Sequence, residues 1–307
     1  MTDPETEDPA TRAISRRRLL IGGGVLAGTA AAGAVAVRTL PLHRWVDRLT
    51  RACGDPGPVP PPSDALRSSG SFPSALLGVD VEYELAIPPD HRFGDPLPVA
   101  CMLPGRGETA GSCMDGTHMA DFVAQGIGER GVEPFALAAV DGGESYWHER
   151  ASGEDRMAML TQEFVPMCEE RWRLGQEHPR ALIGWSMGGY GALLAAQEHP
   201  DLFVAAAAAS PAVWRSYEEM DAAVGDAFDA AEDFASHDLF AHHDRLEQLE
   251  VRIDCGTADG FYANDRALAA ALDPSPSGIF FEGCHDHDSW RVVAPAQVDF
   301  LGAALRG

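Results

Sequence analysis

Gly184-Trp185-Ser186-Met187-Gly188-Gly189-Tyr190-Gly191 lies between a short apolar run, Ala181-Leu182-Ile183, and an alanine- and leucine-rich stretch ending near Gln197. The order reads as strand, sharp turn and helix, with a serine at the apex. A G-x-S-x-G turn holds its serine in a strained backbone conformation at the top of a sheet. The flanking glycines remove side chains that would collide as the strand reverses into the helix. The serine oxygen is left exposed, and the helix start directs partial positive charge toward it. The stretch therefore predicts a nucleophilic serine.

Working outward, strands and helices alternate. Val79, Val81, Tyr83, Leu85 and Ile87 alternate with Asp80, Glu82 and Glu84, a strand with one wet face that suits an antiparallel edge region. Residues 97–103 and 135–140 are continuous apolar runs, as expected of buried central strands. Further strands are expected over residues 181–183, 203–208, 249–255 and 278–282. Helices are expected over 118–128, along Met157, Leu160, Phe164 and Cys168, and along Trp290, Val293, Val298, Leu301 and Leu305. Repeated β-then-α order implies an α/β fold, a mostly parallel sheet covered by helices on both faces. Ligands of such sheets sit beyond the carboxyl ends of the strands. Residues 214–246 break the alternation as an acidic helical insertion after the strand expected over 203–208, either a partial lid over the elbow or a surface excursion.

A serine hydroxyl needs a base to take its proton and an acid to orient that base. In this fold class they follow in the order Ser, acid, His. Asp259, in Cys255-Gly256-Thr257-Ala258-Asp259-Gly260-Phe261, lies just past a strand and is the candidate acid. Asp254 inside that strand is its competitor, and Asp265 on the following helix is expected in solvent. The base is His285 or His287 in Gly283-Cys284-His285-Asp286-His287-Asp288-Ser289-Trp290, after the last strand, with His285 nearer the strand end. The oxyanion hole needs two backbone N–H groups. Met187 supplies one, and the Pro104–Glu108 loop the other, through Arg106 or else Gly107. Tyr146 and Trp147, after a central strand, are candidates for a flat acyl or sugar wall, or for local packing. Trp185 and Trp290, beside the candidate nucleophile and base, complete the candidate substrate contacts.

These segments resemble the esterase family of α/β-hydrolases that includes S-formylglutathione hydrolase, feruloyl and acetylxylan esterases, and the mycolyltransferases. The resemblance runs from about Phe72 to Gly307. It is carried by the Pro104–Gly107 loop, the G-W-S-M-G-G-Y-G elbow, the C-G-T-A-D segment and G-C-H-D-x-x-x-W at Gly283–Trp290. It implies an α/β-hydrolase fold and a serine esterase with a Ser186-Asp259-His285 triad, because the family histidine precedes a tryptophan by a few residues. Two departures stand out: Cys284 replaces a second glycine, and Pro104 stands where many relatives carry histidine. Mycolyltransferases use glutamate as the acid, so Asp259 leans toward the esterase branch.

The chain has 307 residues, with 47 acids against 23 basic residues and a formal net charge of −24; every basic residue is arginine. Such a surface repels nucleic acid and anionic lipid headgroups, which excludes both as expected partners. The expected partner is a small ester, with no cofactor and no metal. Ser15-Arg16-Arg17-Arg18-Leu19-Leu20, followed by a weakly hydrophobic Gly/Ala/Val stretch to Val37, resembles a twin-arginine export signal. Residues 1–38 are thus read as a signal peptide or a retained anchor, the expected membrane contact, and the protein as extracellular or envelope-associated. Residues 39–71, rich in Pro, Gly and Ser from Gly54 onward, are read as a linker, and residues 72–307 as the catalytic domain. Of the six cysteines, Cys255 and Cys284 lie in the catalytic C-terminal segments, where they either pair or fill the core as small hydrophobes.

Three other readings compete. Acyl transfer to a sugar or lipid hydroxyl uses the same triad. A metal-dependent hydrolase would draw on His285, His287, His242 and His243, but no H-E-x-x-H set appears. A non-catalytic binding protein on this fold would not need all three triad positions filled.

Overall fold

In a computed structural model, which describes residues 53–306, eight strands form one sheet in the order β1-β2-β4-β3-β5-β6-β7-β8. They are β1 Leu66–Pro73, β2 Asp80–Ile87, β3 Val99–Leu103, β4 Ala136–Val140, β5 Arg180–Trp185, β6 Ala205–Ala209, β7 Glu250–Gly256 and β8 Phe280–Phe281. The β1–β2 and β2–β4 pairs are antiparallel and every other pair is parallel. This is the α/β-hydrolase architecture. The export-signal reading of residues 1–38 lies outside the described residues.

The stretch read as linker is built into the fold from Cys53 onward. Cys53 is bonded to Cys284. The Gly57 N–H donates to the Asp288 carbonyl at 2.7 Å, and both the N–H and the hydroxyl of Ser63 donate to Asp121. Residues 66–73 then form β1, the edge strand. Its sequence, Leu-Arg-Ser-Ser-Gly-Ser-Phe-Pro, carries little apolar signal because most of the strand is solvated and backbone hydrogen bonds to β2 hold it. The alternating strand β2 is consequently second from the edge. Its Glu84, read as part of a wet face, is buried and paired with Arg67 of β1.

Helices cover both faces. Helix α1 (Ala110–Thr117), which the sequence pattern does not mark, meets α2 (Met119–Gln125), the helix expected over 118–128, at His118, whose φ of 54° separates the two. A helical turn at Arg156–Ala158 passes through a π-helical turn into α3 (Val165–Trp172), and α4 (Met187–Glu198) is the elbow helix. The insertion holds α5 (Tyr217–Ala223) and α6 (Ala231–Ser236), then α7 (Tyr262–Ala271) follows β7 and α8 (His287–Ala304) closes the chain. Alternate residues of β3 face opposite layers. Cys101 and Leu103 join the core beneath α3 and α4, while Ala100 and Met102 join the core beneath α1, α2 and α8. Continuous apolar strands are what a sheet buried on both faces requires.

Candidate active site

Strand pairing places the chemistry. Leu103, the last residue of β3, is paired with Gly184 of β5, so the loops leaving these two strands emerge side by side. One is the Pro104–Glu108 loop and the other is the elbow. Ser186 has φ 54° and ψ −120°, a conformation disfavoured for a residue with a side chain. It is enforced from three sides. The Ser186 N–H donates to Ala209 of β6, its carbonyl accepts from Ala212, and a Cβ on Gly188 would stand 1.8 Å from the Leu103 carbonyl oxygen. The elbow helix can therefore start only where glycine lets it pass under β3.

Asp259 and His285 come from the next strands outward. The Asp259 N–H closes a turn onto Gly256, and its Oδ1 accepts from the Phe261 N–H at 2.9 Å. The chain after β8 crosses back over β7, with the Ala258 N–H donating to the Gly283 carbonyl at 3.0 Å. This carries His285 to the elbow. Its Nδ1 lies 2.8 Å from Asp259 Oδ2 and its Nε2 lies 2.8 Å from Ser186 Oγ. The Asp259 side chain is fully buried, while His285 keeps about a third of its side chain exposed to the cleft. Phe261 packs on one side of the imidazole at 5.5 Å and Trp290 edge-on at 5.2 Å.

The competing acids have other surroundings. Asp254 is buried and held by both guanidinium nitrogens of Arg252 at 2.8 Å, with further donors from Ile279 and Gln297. Asp265, expected in solvent, is completely buried with neither oxygen in a hydrogen bond. Burial pushes its carboxyl well above the usual carboxylate range, against a downward pull from the nearby Cys255 thiol, and the Asp259 charge adds a smaller upward push. Its helix position alone suggested a wet face, but α7 turns that position inward against β7.

The Pro104–Glu108 loop is a turn in which the Glu108 N–H donates to the Gly105 carbonyl and Gly107 takes φ 76°, the pattern of a type II turn. The Gly105 N–H donates to Glu108 Oε2 at 2.8 Å. Among the described residues, the amides of Arg106 and Gly107 have no internal partner, nor has that of Met187 at the start of α4. These are the three donors expected from the sequence, and they gather at the ends of β3 and β5.

The aromatic expectations divide. Trp147 is completely buried, and its ring fills the space where Cβ atoms on Gly142 and Gly191 would stand. Trp185 is likewise buried in the core. Neither presents a wall to a ligand, because each lies under backbone rather than over the cleft. Trp290 packs against His285, and its Nε1–H donates to Ser210 Oγ at 3.0 Å, so it positions the base. Tyr146 lies beside the oxyanion turn, 5.9 Å beneath the Arg106 guanidinium, and burial raises its hydroxyl to about 12. It packs against Trp214, which packs against Phe261, which packs against His285. Trp214 and Phe261 were not singled out from the sequence; only their position directly after β6 and β7 marks them.

The insertion is tied to this corner. Asp226 binds the Arg106 guanidinium at 2.8 Å, and Tyr190 of the elbow helix donates its hydroxyl to the His237 carbonyl. Among the described residues, His148, Asp233 and His237 bring potential metal ligands within 4.8 Å. Three of their four ring nitrogens face backbone carbonyls, and His237 Nδ1 also lies 3.1 Å from the Asp233 carboxylate. His148 faces the Glu149 and Ala227 carbonyls, His237 Nδ1 faces its own helix carbonyl at Asp233, and the two rings stack at 4.6 Å. The group clasps the insertion to the loop after β4. The histidines of the metal reading are dispersed: His285 meets Ser186, His287 meets Glu108, and His243 bonds the Phe240 carbonyl.

Cys284, immediately before His285, is bonded to Cys53, 231 positions earlier in the chain. Cys255 is buried and free.

A family model described as "Putative esterase" matches residues 74–277. The chain belongs to this esterase family and is a carboxylic ester hydrolase. Solved structures share its fold. A ferulic acid esterase aligns with a TM-score of 0.69 and 18% identity, over 80% of this chain and 100% of that one. The S-formylglutathione hydrolase from Agrobacterium tumefaciens aligns at 0.66 and 16%, over 80% and 97%. Mycobacterium tuberculosis MPT51 aligns at 0.59 and 20%, over 79% and 100%. None of the curated proteins compared matches the sequence.

Proposed function

We propose that the chain hydrolyses a small carboxylic ester through a Ser186-His285-Asp259 triad and an acyl-enzyme intermediate. The observation that carries this reading is the imidazole of His285, with one nitrogen 2.8 Å from Ser186 Oγ and the other 2.8 Å from Asp259. Ser186 Oγ attacks the ester carbonyl while His285 Nε2 takes its proton. Asp259 holds the ring in the tautomer that leaves Nε2 free and stabilises the imidazolium that forms. The negative oxygen of the tetrahedral intermediate accepts from the Met187 and Arg106 amides. The imidazolium returns its proton to the departing alcohol, leaving an ester on Ser186. Water, deprotonated by His285, then releases the acid. Phe261, partly exposed beside His285 and backed by the buried rings of Trp214 and Tyr146, suits contact with an apolar acyl or aromatic group.

Acyl transfer would replace that water by a sugar or lipid hydroxyl. An aspartate in the acid position leans toward hydrolysis, and a product that appears only with added acceptor would identify transfer. The twin-arginine-like leader points to export, and the Cys53–Cys284 disulfide supports an oxidising compartment. The deciding experiment labels wild type and Ser186→Ala with a fluorophosphonate. Labelling is expected of the wild type alone, and a label retained by the variant would overturn the assignment of the nucleophile.

A further inference from the structure

Two residues after His285, a second imidazole meets a second carboxylate. His287 Nε2 lies 2.6 Å from Glu108 Oε1, close enough for an ion pair though without hydrogen-bond geometry. The other oxygen of Glu108 accepts the Gly105 N–H, and the Glu108 N–H returns a bond to the Gly105 carbonyl. The turn is thus closed twice, once by backbone and once by side chain. A Cβ on Gly105 would stand 2.9 Å from Oε2, so the carboxylate rests directly on that residue. With both polar groups of Gly105 engaged, the donors left in the turn are the amides of Arg106 and Gly107.

His287 is itself fixed. Its ring lies against Gly116 of α1, where a Cβ would stand 2.4 Å away, and edge-on to Trp290 at 5.2 Å. Its backbone begins α8, capped by Asp286, whose side chain accepts from the Ser289 N–H, while Ser289 Oγ accepts from the Cys284 N–H. One short segment, anchored by the disulfide at Cys284, therefore holds the base on one side and the support of the oxyanion turn on the other.

We propose that Glu108 is a positioning residue that aims the oxyanion turn, and that His287 holds its carboxylate in place. The role rests on the ester-hydrolase reading. Burial opposes an ionised Glu108, but His287 and the Gly105 amide outweigh it and hold the carboxyl below its ordinary range. An anion beside the place where an oxyanion develops would weaken that oxyanion unless a partner held it. His287 is that partner. Glutamate is needed for its reach to Gly105, and His287 to hold the carboxylate there.

The test measures ester hydrolysis by wild type, Glu108→Gln, Glu108→Ala, His287→Ala and the Glu108→Gln/His287→Ala double variant. Melting curves and fluorophosphonate labelling of Ser186 report folding and the nucleophile. Glu108→Gln keeps an acceptor for Gly105 and should lose no more than about threefold in kcat, whereas Glu108→Ala should lose about ten- to a hundredfold with KM nearly unchanged. Affinity for a trifluoromethyl ketone, which forms the charged tetrahedral adduct, should fall in step with kcat. His287→Ala should also lose kcat, and adding Glu108→Gln should restore part of it by removing the stranded charge. A Glu108→Ala enzyme with unchanged kcat, or a double variant worse than His287→Ala, would overturn the proposal while leaving the hydrolase reading intact. A wild type that neither turns over esters nor takes the label removes the hydrolase reading first, and this one with it.

Discussion

His285 and His287 lie two residues apart, each facing a carboxylate and each edge-on to the same tryptophan. Their partners differ in what they touch. Asp259 is fully buried, bonded to the Phe261 amide, and faces the side of the ring away from Ser186. Glu108 belongs to the oxyanion turn and faces a ring that touches no nucleophile. On the proposed readings, the same pair of chemical groups would serve proton transfer at one position and loop placement at the other. Distance to Ser186 decides, not residue type or local sequence.

The largest effects should fall on the first pair. Ser186→Ala and His285→Ala should each reduce kcat by about a millionfold, and Asp259→Asn by about ten-thousandfold, because the ring then loses its oriented tautomer. Steady-state kinetics on purified variants checks both. His287→Ala should lose only about ten- to a hundredfold in the same assay. A His287→Ala loss equal to that of His285→Ala would break the comparison, since it would make the two rings a single unit.

Smaller effects concern what holds the two histidines in place. Cys53→Ser removes the tie at Cys284 and should lower stability by about 2–5 kcal/mol, as expected for a bond closing so long a loop. Reductant should lower the melting temperature of the wild type but not that of the variant. Asp265 sharpens the contrast among buried acids. Its folded-state carboxyl is raised above the unfolded one, so its contribution is most favourable at low pH and worsens as pH rises above the ordinary carboxylate range. Asp265→Asn should therefore be more stable than wild type at pH 8, on the order of 1–2 kcal/mol, and the gain should vanish near pH 3. Melting curves across pH decide it. A variant less stable than wild type at pH 8 would show that the buried carboxyl has a partner worth keeping.

Much of the site was legible from the chain because local patterns carry it. Apolar runs ended by Pro, Asp or Gly, over residues 97–103, 135–140 and 181–183, marked β3, β4 and β5. The glycines around Ser186 marked the elbow, and the order of strand ends selected Asp259. His285 was separated from His287 by its nearness to the strand end and by a family pattern. The misses share a cause. Strand β1 is polar and held by backbone bonds, which leave no trace in hydrophobic periodicity. Asp265 and Trp147 were placed by local position, yet their burial depends on which neighbour packs over them. Cys284 found its partner in a segment 231 residues earlier, and no spacing rule reaches so far.

The sequence by itself determined the alternation of strands and helices, the strained serine turn and the chain order of nucleophile, acid and base, since each follows from neighbours within a few residues. Tertiary structure alone decided which histidine meets which carboxylate, which aromatic rings border the cleft, and that Cys53 braces the loop of the base. Those outcomes depend on strand order in the sheet, where β3 and β5 become neighbours and the chain after β8 returns over β7. Contacts between segments so far apart are set by packing the whole sheet, and no single stretch of residues encodes them.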